Sequence, residues 1–233
     1  MTTPASPDVS AILIVRNGAR FIADALTSVI QGTLHPAEIL VIDGQSTDRT
    51  AEIVRTFAGV TLARQESQGI ANAYNQGIAL ARCGFVLFIS HDDHWLPEKL
   101  ERQVAFMHAH PQVQYTVTYV QHVLHDGASP PAGFRTELLD GPVPGFIMET
   151  MMARREVFAR VGPFDPSFAI GEDTDWFARA RDARVPMAVL PETLVIKRVH
   201  DTNASLSHPQ TSALLLRAMR RSVERKRVAA SDP

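Results

Sequence analysis

The stretch VSAILIV at residues 9–15, followed by RNGARFIADALTSVI at residues 16–30, decides the fold of this chain. The first stretch is almost wholly apolar, which is typical of a strand buried on both faces of a sheet. The second stretch has helical spacing, with Phe21, Ala25 and Val29 on one side. A doubly buried strand followed by an amphipathic helix predicts the first unit of an α/β domain.

The alternation of strand and helix continues to about residue 110. Further strands are predicted at residues 39–42, 60–63 and 85–89, and further helices at residues 48–58, 70–81 and 97–110. This order indicates an α/β fold with a Rossmann-like, mostly parallel sheet flanked by helices. In such sheets, ligands bind beyond the carboxyl ends of the strands. The polar segments at residues 16–18, 43–48 and 90–95 are therefore the candidate binding loops.

The pattern changes beyond residue 110. The sequence predicts a half-buried strand at residues 115–123, a Gly- and Pro-rich loop or hairpin at 126–144, helices at 154–161 and 173–183, and strands at 186–190 and 194–199. We expect a disordered lead-in at residues 1–8, one domain at 9–205 with a larger half at 9–110 and a smaller region at 111–205, and a basic tail at 206–233.

The bulk composition excludes several classes of protein. The chain has 233 residues, 45% of them hydrophobic and 21% charged, with a formal net charge of −2. That charge argues against a general affinity for nucleic acid, which requires a basic excess. The single cysteine, Cys83, excludes an internal disulfide framework and fits a reducing compartment. No apolar run reaches the ~18–20 residues of a membrane span, so we expect a soluble, cytoplasmic chain.

Two adjacent carboxylates, Asp92 and Asp93, follow the predicted strand at residues 85–89. Their mutual repulsion is costly unless a cation offsets it. Mg²⁺ typically takes one or two carboxylates together with substrate phosphates, which makes the pair a candidate metal site. The alternative interpretation is a solvated turn ahead of the helix that Pro97 opens.

Another carboxylate, Asp43, ends the second predicted strand and is followed by Gly44. A carboxylate at this position can accept a hydrogen bond from an N–H donor such as a uracil imide. Gly44 would let a ligand approach the backbone closely. The alternative is an ordinary strand-to-helix turn with helix caps supplied by Ser46 and Thr47.

A third acidic group consists of Glu172, Asp173 and Asp175, which lie at the start of a predicted helix. Acidic residues are common at helix N-termini because they complement the helix dipole. The functional interpretation is a general base, because a carboxylate there can take the proton from an attacking hydroxyl.

The last polar segment follows the final predicted strand and contains Arg198, His200, Asn203 and Ser205. A cation and hydrogen-bond donors at this place could neutralise an anionic group such as a diphosphate. The alternative is a polar surface loop.

Four blocks in order resemble family 2 of the glycosyltransferases, whose domain has the GT-A fold. They are VSAILIVRNGARFIADALTSV, EILVIDGQSTDRTAEIV, QGIANAYNQGIALARCGFVLFISHDDHWLPEKL and RREVFARVGPFDPSFAIGEDTDWFARA. Each block is a weak match, but four in this order and spacing are specific, and together they span residues 9–205. The resemblance implies a metal-dependent, inverting transfer of one sugar from a nucleotide-diphosphate sugar to an acceptor hydroxyl, with Mn²⁺ or Mg²⁺ as cofactor.

The resemblance also implies roles for individual residues. The nucleotide-sugar-binding residues would be Val15, Arg16, Asn17, Asp43, Gly69, Asn75, Ser90, Asp92, Asp93, Arg198 and His200. Asp92 and His200 would hold the metal, and Asp43 would bind the base of the nucleotide. The catalytic group would be Glu172, Asp173 and Asp175, with Asp173 as the base and Asp175 as its rival. The residues on the acceptor side would be Trp95, Met148 and Trp176.

The chain departs from the family pattern at several positions. Ser90 replaces the first aspartate of the Asp-x-Asp motif, which removes a carboxylate that often touches the ribose and weakens the expected metal site. Gly44-Gln45, Tyr74 and Cys83 also differ from the common residues. The QxxRW motif of processive synthases is absent, so addition of a single sugar is expected.

Three other functions compete with this interpretation. A catalytically weak or inactive nucleotide-sugar-binding protein would explain Ser90, although Asp92 and Asp173 are retained. A dinucleotide oxidoreductase needs a Gly-x-Gly-x-x-Gly turn, which residues 16–19 do not form. Nucleotidyl transfer is less consistent with the Glu172-Asp173 block.

The acceptor, the quaternary structure and the location are the least determined features. A saccharide, lipid carrier, peptide or small natural product all remain open as acceptors, and residues 126–146 are expected to select among them. Homodimer formation also remains open. In the tail, Leu215, Met219 and Val223 form an apolar stripe at a spacing of four, beside a dense set of basic residues. We expect this stripe to pack on the domain, with weak peripheral contact to the inner face of a membrane as the alternative.

Overall fold

The computed structural model describes residues 7–125, 129–131, 133–201, 203 and 211–231, with side chains in the last helix described for residues 213–227. The strands are β1 (Val9–Val15), β2 (Glu38–Asp43), β3 (Val60–Arg64), β4 (Phe85–Ser90), β5 (His94–Trp95), β6 (Tyr115–Leu124), β7 (Val143–Pro144), β8 (Met152–Arg154) and β9 (Met187–Val199). The helices are α1 (Ile22–Ile30), α2 (Thr50–Arg55), α3 (Ile70–Leu80), α4 (Lys99–Ala109), α5 (Val157–Val161), α6 (Glu172–Asp182) and α7 (Thr211–Ser231). Two 3₁₀ turns lie at Thr136–Leu139 and Met148–Thr150.

These strands form one sheet in the order β3-β2-β1-β4-β8-β6-β9-β5, with β7 paired to β6. The longest pairings, β1 with β2 and β4, β2 with β3, and β6 with β9, are parallel. β8 joins the two parallel groups through antiparallel pairs with β4 and β6. The predicted α/β fold with a mostly parallel sheet is therefore confirmed, and the sheet continues across residue 110.

Helices cover both faces of the sheet, as the doubly buried strands require. Alternate residues of β1 point to opposite sides, so Leu13 packs with the α1 and α4 layer and Ile12 packs with the α3 and α6 layer. At Gly77 of α3, a Cβ atom would lie 2.4 Å from Cγ2 of Ile12. A glycine is therefore required there for the helix to approach β1 this closely.

The second half differs in detail from the predicted elements. The prediction of two strands at residues 186–190 and 194–199 is wrong, because β9 is continuous. Its register with β6 shifts around Tyr119, and the irregularity accommodates Pro191, which has no N–H to donate to the ladder. The helix predicted from residue 154 begins at Val157, since the preceding residues form β8.

The observed bounds of other elements also differ from the predicted bounds, and some predictions concern residues outside the described part of the chain. The helix predicted at residues 48–58 is confined to α2. The predicted loop at 126–144 contains a 3₁₀ turn and the whole of β7, while residues 126–128 and 132 lie outside the described part. Ser205 and residues 1–6 of the predicted lead-in also lie outside it.

Helix α7 packs on the domain, but through a different face from the predicted one. Leu214 and Ala218 are buried against Phe168 and Ile170. The predicted docking stripe of Leu215, Met219 and Val223 is instead exposed, with Met219 64% accessible. The prediction that this stripe packs on the domain is therefore wrong.

The basic residues of α7 explain the orientation of the helix. The guanidinium groups of Arg217 and Arg221 lie 4.9 Å and 5.3 Å from the ring centroid of Phe168. Arg221 also pairs with Asp165, and Arg225 with Asp182. Long arginine stems can cover apolar surface while their charged ends find partners, so the basic side of α7 faces the domain. Among the helices of the described residues, none combines the length and apolar character needed to cross a membrane.

Candidate active site

A cleft of about 1010 Å³ lies at the carboxyl ends of β1, β2 and β4. The strand register brings these ends together, because Val15 lies opposite Asp43 on β2 and Ile14 lies opposite Ser90 on β4. The predicted site residues that line the cleft are Val15, Arg16, Asn17, Gly69, Ser90, Asp92, Met148, Glu172 and Asp173. The volume is at the upper end of the ~300–1,000 Å³ typical of small-molecule sites.

Two loops at one end of the cleft are tied together by hydrogen bonds. Asn17 has a left-handed backbone (φ 53°), and its N–H donates to Ser46 Oγ at 2.8 Å. Its side-chain oxygen accepts from the N–H of Thr47 at 2.8 Å. A Cβ atom on Gly18 would lie 2.5 Å from the ring of His91. The loop after β1 therefore has a fixed shape against both the loop after β2 and the loop after β4.

Asp43 is 8% exposed and lies outside the residues that line the cleft. Its two carboxylate oxygens accept weak hydrogen bonds from the N–H of Ser46, at 3.2 Å and 3.3 Å. In this structure Asp43 shapes the turn that presents Gly44 and Gln45, both of which line the cleft.

Asp92 lines the cleft and is held by the segment that follows β9. His200 Nε2 lies 3.0 Å from Asp92 Oδ2, and Asn203 Nδ2 donates to the same oxygen at 3.2 Å. Burial alone would raise the pKa of Asp92, but the His200 hydrogen bond and the charges of His91 and Lys197 hold it well below its usual range. The surroundings of Asp92 therefore favour its ionised form at the cleft wall.

Asp93 does not line the cleft and is fully buried. Its carboxylate accepts from Lys197 Nζ at 2.8 Å and from the backbone N–H of Arg198 at 3.0 Å. Asp93 therefore anchors β9 beside β5, and the predicted binding role is not supported by its position.

The position of Arg198 does not support its predicted anion contact, and Lys197 is the cation of β9 that lines the cleft. The guanidinium of Arg198 lies 4.9 Å from the ring centroid of Phe21 and 3.4 Å from a carboxylate oxygen of Asp24, outside the cleft lining. Neighbouring residues of a strand point to opposite faces, and Lys197 faces the cleft. Although burial opposes its charge, the carboxylates of Asp93, Glu149 and Asp92 raise the pKa of Lys197 above its ordinary value.

The acidic pair Glu172 and Asp173 lines the cleft from the first turn of α6. Burial raises the pKa of Asp173 to about 6. Burial and the neighbouring Asp173 charge raise the pKa of Glu172 to about 8. Asp175 is different, because it is 1% exposed, pairs with Arg179 at 2.8 Å and does not line the cleft.

Three further predicted site residues are structural, which corrects their assignment. Trp176 is fully buried and its indole N–H donates to the carbonyl of Gly162 at 3.1 Å. Trp95 is 3% exposed within the core. The amide of Asn75 makes two hydrogen bonds to the backbone of Phe164, each 2.9 Å long. The two tryptophans pack in the core and Asn75 fixes the backbone at Phe164, and none of the three lines the cleft.

Sequence reasoning missed two charged residues of the cleft, Lys197 and Glu149. Side chains of the strand predicted at residues 194–199 alternate between its two sides, so Lys197 lies on the same side as the apolar Val195. That alternation could have identified Lys197 as an inward-facing residue. No periodic signal marks Glu149, which lies in a short 3₁₀ turn and meets Ser90 across 59 residues of sequence.

The residues at Asp92 fit a divalent cation in part. Two ligands at right angles around an ion with ~2.1 Å bonds are ~3 Å apart, which matches the separation of Asp92 Oδ2 and His200 Nε2. Within the described residues there is no cluster of three or more His, Cys, Asp or Glu side chains able to hold a metal. The site would therefore rely on phosphate and water oxygens for its other ligands, as Mg²⁺ commonly does.

The charge of the cleft also favours a bound cation. Its lining carries the carboxylates Asp92, Glu149, Glu172 and Asp173 and, within the described part of the chain, the cations Arg16 and Lys197. An anionic ligand in this surrounding needs added positive charge, because like charges at close range are costly in a partly buried site.

Comparison with known proteins places these observations in a family. A family model described as glycosyl transferase family 2 matches residues 10–162. An uncharacterised glycosyltransferase of Rickettsia typhi is 29% identical over 219 residues, which cover 87% of this chain and 68% of that protein.

Two solved structures share the fold. S. aureus TarS 1–349 in complex with UDP-GlcNAc has a TM-score of 0.74 at 19% identity, covering 93% of this chain and 66% of that one. The mannosyltransferase PcManGT from Pyrobaculum calidifontis, in complex with GDP-Man and Mn²⁺, has a TM-score of 0.70 at 20% identity, covering 95% and 65%. The chain spans about two thirds of the length of each of these three proteins.

Proposed function

Because this chain belongs to glycosyl transferase family 2, we propose that it transfers one sugar from a nucleoside-diphosphate sugar to an acceptor hydroxyl. The observation that carries the proposal is the cleft itself, where Asp92, Lys197 and the Glu172–Asp173 pair converge from different elements at the carboxyl edge of the sheet. The nucleotide sugars bound by the two structural neighbours, UDP-GlcNAc and GDP-Man, support a donor of this class.

The base in this proposal is Asp173. Direct displacement at the anomeric carbon requires a group that removes the proton of the acceptor hydroxyl. Burial raises the pKa of both carboxyls of the pair, and the charge of Asp173 raises that of Glu172 further, so the two carboxyls do not ionise independently. In this proposal Asp173 accepts the proton while Glu172 shares the acidic pair, and the single displacement inverts the configuration of the anomeric carbon.

The leaving diphosphate would be bound by Lys197 and by a divalent cation at Asp92 and His200. A bound Mn²⁺ or Mg²⁺ ion would stabilise the negative charge that develops on the leaving group. Lys197 would donate a charge-assisted hydrogen bond to a phosphate oxygen, and Asn203 would keep the Asp92 carboxylate oriented. PcManGT, which holds Mn²⁺ together with its donor, supports this assignment.

The acceptor, the quaternary structure and the location stay predictions. Contact of α7 with a membrane surface is supported by the exposed Leu216, Met219 and Val223 beside the exposed Arg220. It is weakened by the ion pairs that engage Arg221 and Arg225 on the domain side. Flotation with anionic liposomes at low and high salt tests this contact, and size-exclusion chromatography with light scattering tests the homodimer.

A thermal-shift screen tests the proposed function. A ligand that binds the native state raises the melting temperature. We expect at least one uridine or guanosine diphosphate sugar to raise it in the presence of Mn²⁺ and to lose that effect in EDTA. If no nucleoside diphosphate sugar shifts the melting temperature with or without metal, the proposal is wrong.

A further inference from the structure

Glu149 is held rigidly at the wall of the cleft. It lies in the 3₁₀ turn Met148–Thr150, is 6% exposed and lines the cleft. Ser90 donates its hydroxyl hydrogen to Glu149 Oε1 at 2.5 Å, and Lys197 Nζ lies 3.7 Å from the same oxygen. One oxygen of the carboxylate is therefore fixed by two partners.

The turn that carries Glu149 is also fixed from behind. The carbonyl of Thr150 accepts from Gln103 Nε2 at 2.9 Å and from the buried Lys99 Nζ at 3.3 Å. The single hydroxyl hydrogen of Thr150 is donated to the carbonyl of Gly145, and the carbonyl of Ile147 is a second acceptor within reach at 2.9 Å. A carboxylate fixed by two partners on a turn anchored this way is preorganised, because little freedom remains to be lost on binding.

The second oxygen, Glu149 Oε2, has no hydrogen-bond partner within the described residues, although the side chain is 8% exposed. This oxygen is not among the fully buried unpaired atoms of the described residues, so it is open to a hydrogen-bond donor from outside the protein. Because the residue lines the cleft, the ligand space is where that donor would be.

The chemistry of the surroundings favours a hydroxyl as the donor over a metal ion. No cluster of three metal-ligating side chains forms around Glu149 in the described part of the chain. Lys197 Nζ lies 3.7 Å from Glu149 Oε1 and 2.8 Å from Asp93 Oδ2, so the Glu149 carboxylate is next to the cation of the proposed diphosphate site. Glu149 also lines the same cleft as Asp173, the proposed base, so its carboxylate faces the space that the transferred sugar would occupy.

We propose that Glu149 is a specificity-determining residue that accepts a hydrogen bond from a hydroxyl of the transferred sugar. This inference rests on the proposed function. Ser90, at the end of β4, is the positioning residue that orients the carboxylate. Residue 90 is a serine and has no carboxylate of its own. Glu149 instead places a carboxylate beside Ser90 at the cleft wall.

The test compares the affinities of two ligands for the same variants. The probes are the nucleoside diphosphate sugar that stabilises the wild type most among UDP-glucose, UDP-GlcNAc and GDP-mannose, and the matching free UDP or GDP, measured by calorimetry in Mn²⁺. We expect Glu149→Gln to weaken the sugar nucleotide about tenfold, because a charged acceptor becomes a neutral one. Affinity for the free nucleoside diphosphate should stay within about twofold.

Two controls separate this role from a structural one. Glu156→Gln removes an exposed carboxylate at the start of α5 and should change neither affinity. Glu149→Asp keeps the charge beside Lys197 but withdraws the oxygens by one methylene, so it should weaken the sugar nucleotide even if Glu149→Gln fails to fold. Ser90→Ala should give a smaller loss in the same direction.

Each outcome has a defined meaning. Equal loss for the sugar nucleotide and the free nucleotide, or no loss for Glu149→Gln and Glu149→Asp, overturns the inference while leaving the proposed function intact. If the wild type binds no nucleoside diphosphate sugar, the proposed function is overturned and this inference falls with it.

Discussion

Lys197 and Arg198 are neighbours on β9, yet they serve opposite faces of the strand. Lys197 points into the cleft and pairs with Asp93 at 2.8 Å, whereas Arg198 lies over Phe21 on the other side. Of these two neighbouring cations, only Lys197 is therefore placed to contact an anionic ligand in the cleft.

The opposite directions of these two side chains predict that only one of two matched substitutions weakens UDP binding. Lys197→Met should weaken UDP binding in Mn²⁺ by roughly 10- to 100-fold, because a charge-assisted hydrogen bond to phosphate is lost. Arg198→Met should leave UDP affinity unchanged, since its partner Asp24 is a surface residue. Calorimetry of both variants makes the comparison.

The Lys197 substitution also exposes a stability effect that must be separated from binding. It leaves the buried Asp93 carboxylate with the Arg198 N–H but without its cationic partner, and breaking a buried ion pair costs ~3–5 kcal/mol. The double variant Lys197→Met/Asp93→Asn should recover stability in urea unfolding but not UDP affinity. If affinity returns with stability, Lys197 is structural and does not contact the ligand.

The pKa of Asp173 predicts the acid limit of activity. Its raised value of about 6 means that the proton-accepting form is lost as the pH falls through 6. The wild-type kcat/KM should therefore decline below about pH 6. Asp173→Asn should lower kcat at least ~10²-fold, as is typical when a general base is removed, with donor affinity little changed.

Asp175→Asn is the control for this assignment. Asp175 pairs with Arg179 and does not line the cleft, so the variant should keep both its turnover and the acid limit near pH 6. An active Asp173→Asn together with an inactive Asp175→Asn would show that the wrong carboxylate was chosen.

The docking of α7 predicts a contrast between two leucines two residues apart. Leu214 is 9% exposed and packs on Phe168 and Ile170, whereas Leu216 is 54% exposed. Leu214→Ala should lower the free energy of unfolding by ~2–3 kcal/mol, and Leu216→Ala should change it by less than ~0.5 kcal/mol. Equal effects in urea denaturation would contradict the observed face.

The central strands could be predicted from the sequence because burial on both faces leaves a nearly unbroken apolar run. Val9–Val15 and Phe85–Ser90 are such strands. Once they are placed, the rule that ligands bind at the carboxyl edge identifies the loops that contain Asn17 and Asp92, and both residues line the cleft.

The direction of individual side chains could not be predicted in the same way. A family pattern places Trp176 near the acceptor, but packing on Phe158 and Tyr115 turns its ring into the core. Glu149 reaches the site through a 3₁₀ turn with no periodic signal. In α7, arginine stems form part of the docking face in place of the predicted apolar stripe. The sequence could not show this, because their partners Asp165 and Asp182 are distant along the chain.

The most direct test of the account measures nucleoside diphosphate binding at Asp92. UDP and GDP are titrated into the wild type and into Asp92→Asn, each with Mn²⁺ and with EDTA. We predict that the wild type binds at least one of them in Mn²⁺ and loses at least ~10-fold in affinity, or ~1.4 kcal/mol, in EDTA. Asp92→Asn should bind weakly in both conditions while keeping the wild-type melting temperature to within a few degrees. Equal affinity of wild type and Asp92→Asn in Mn²⁺, with no effect of EDTA, would contradict a metal-assisted diphosphate site in this cleft.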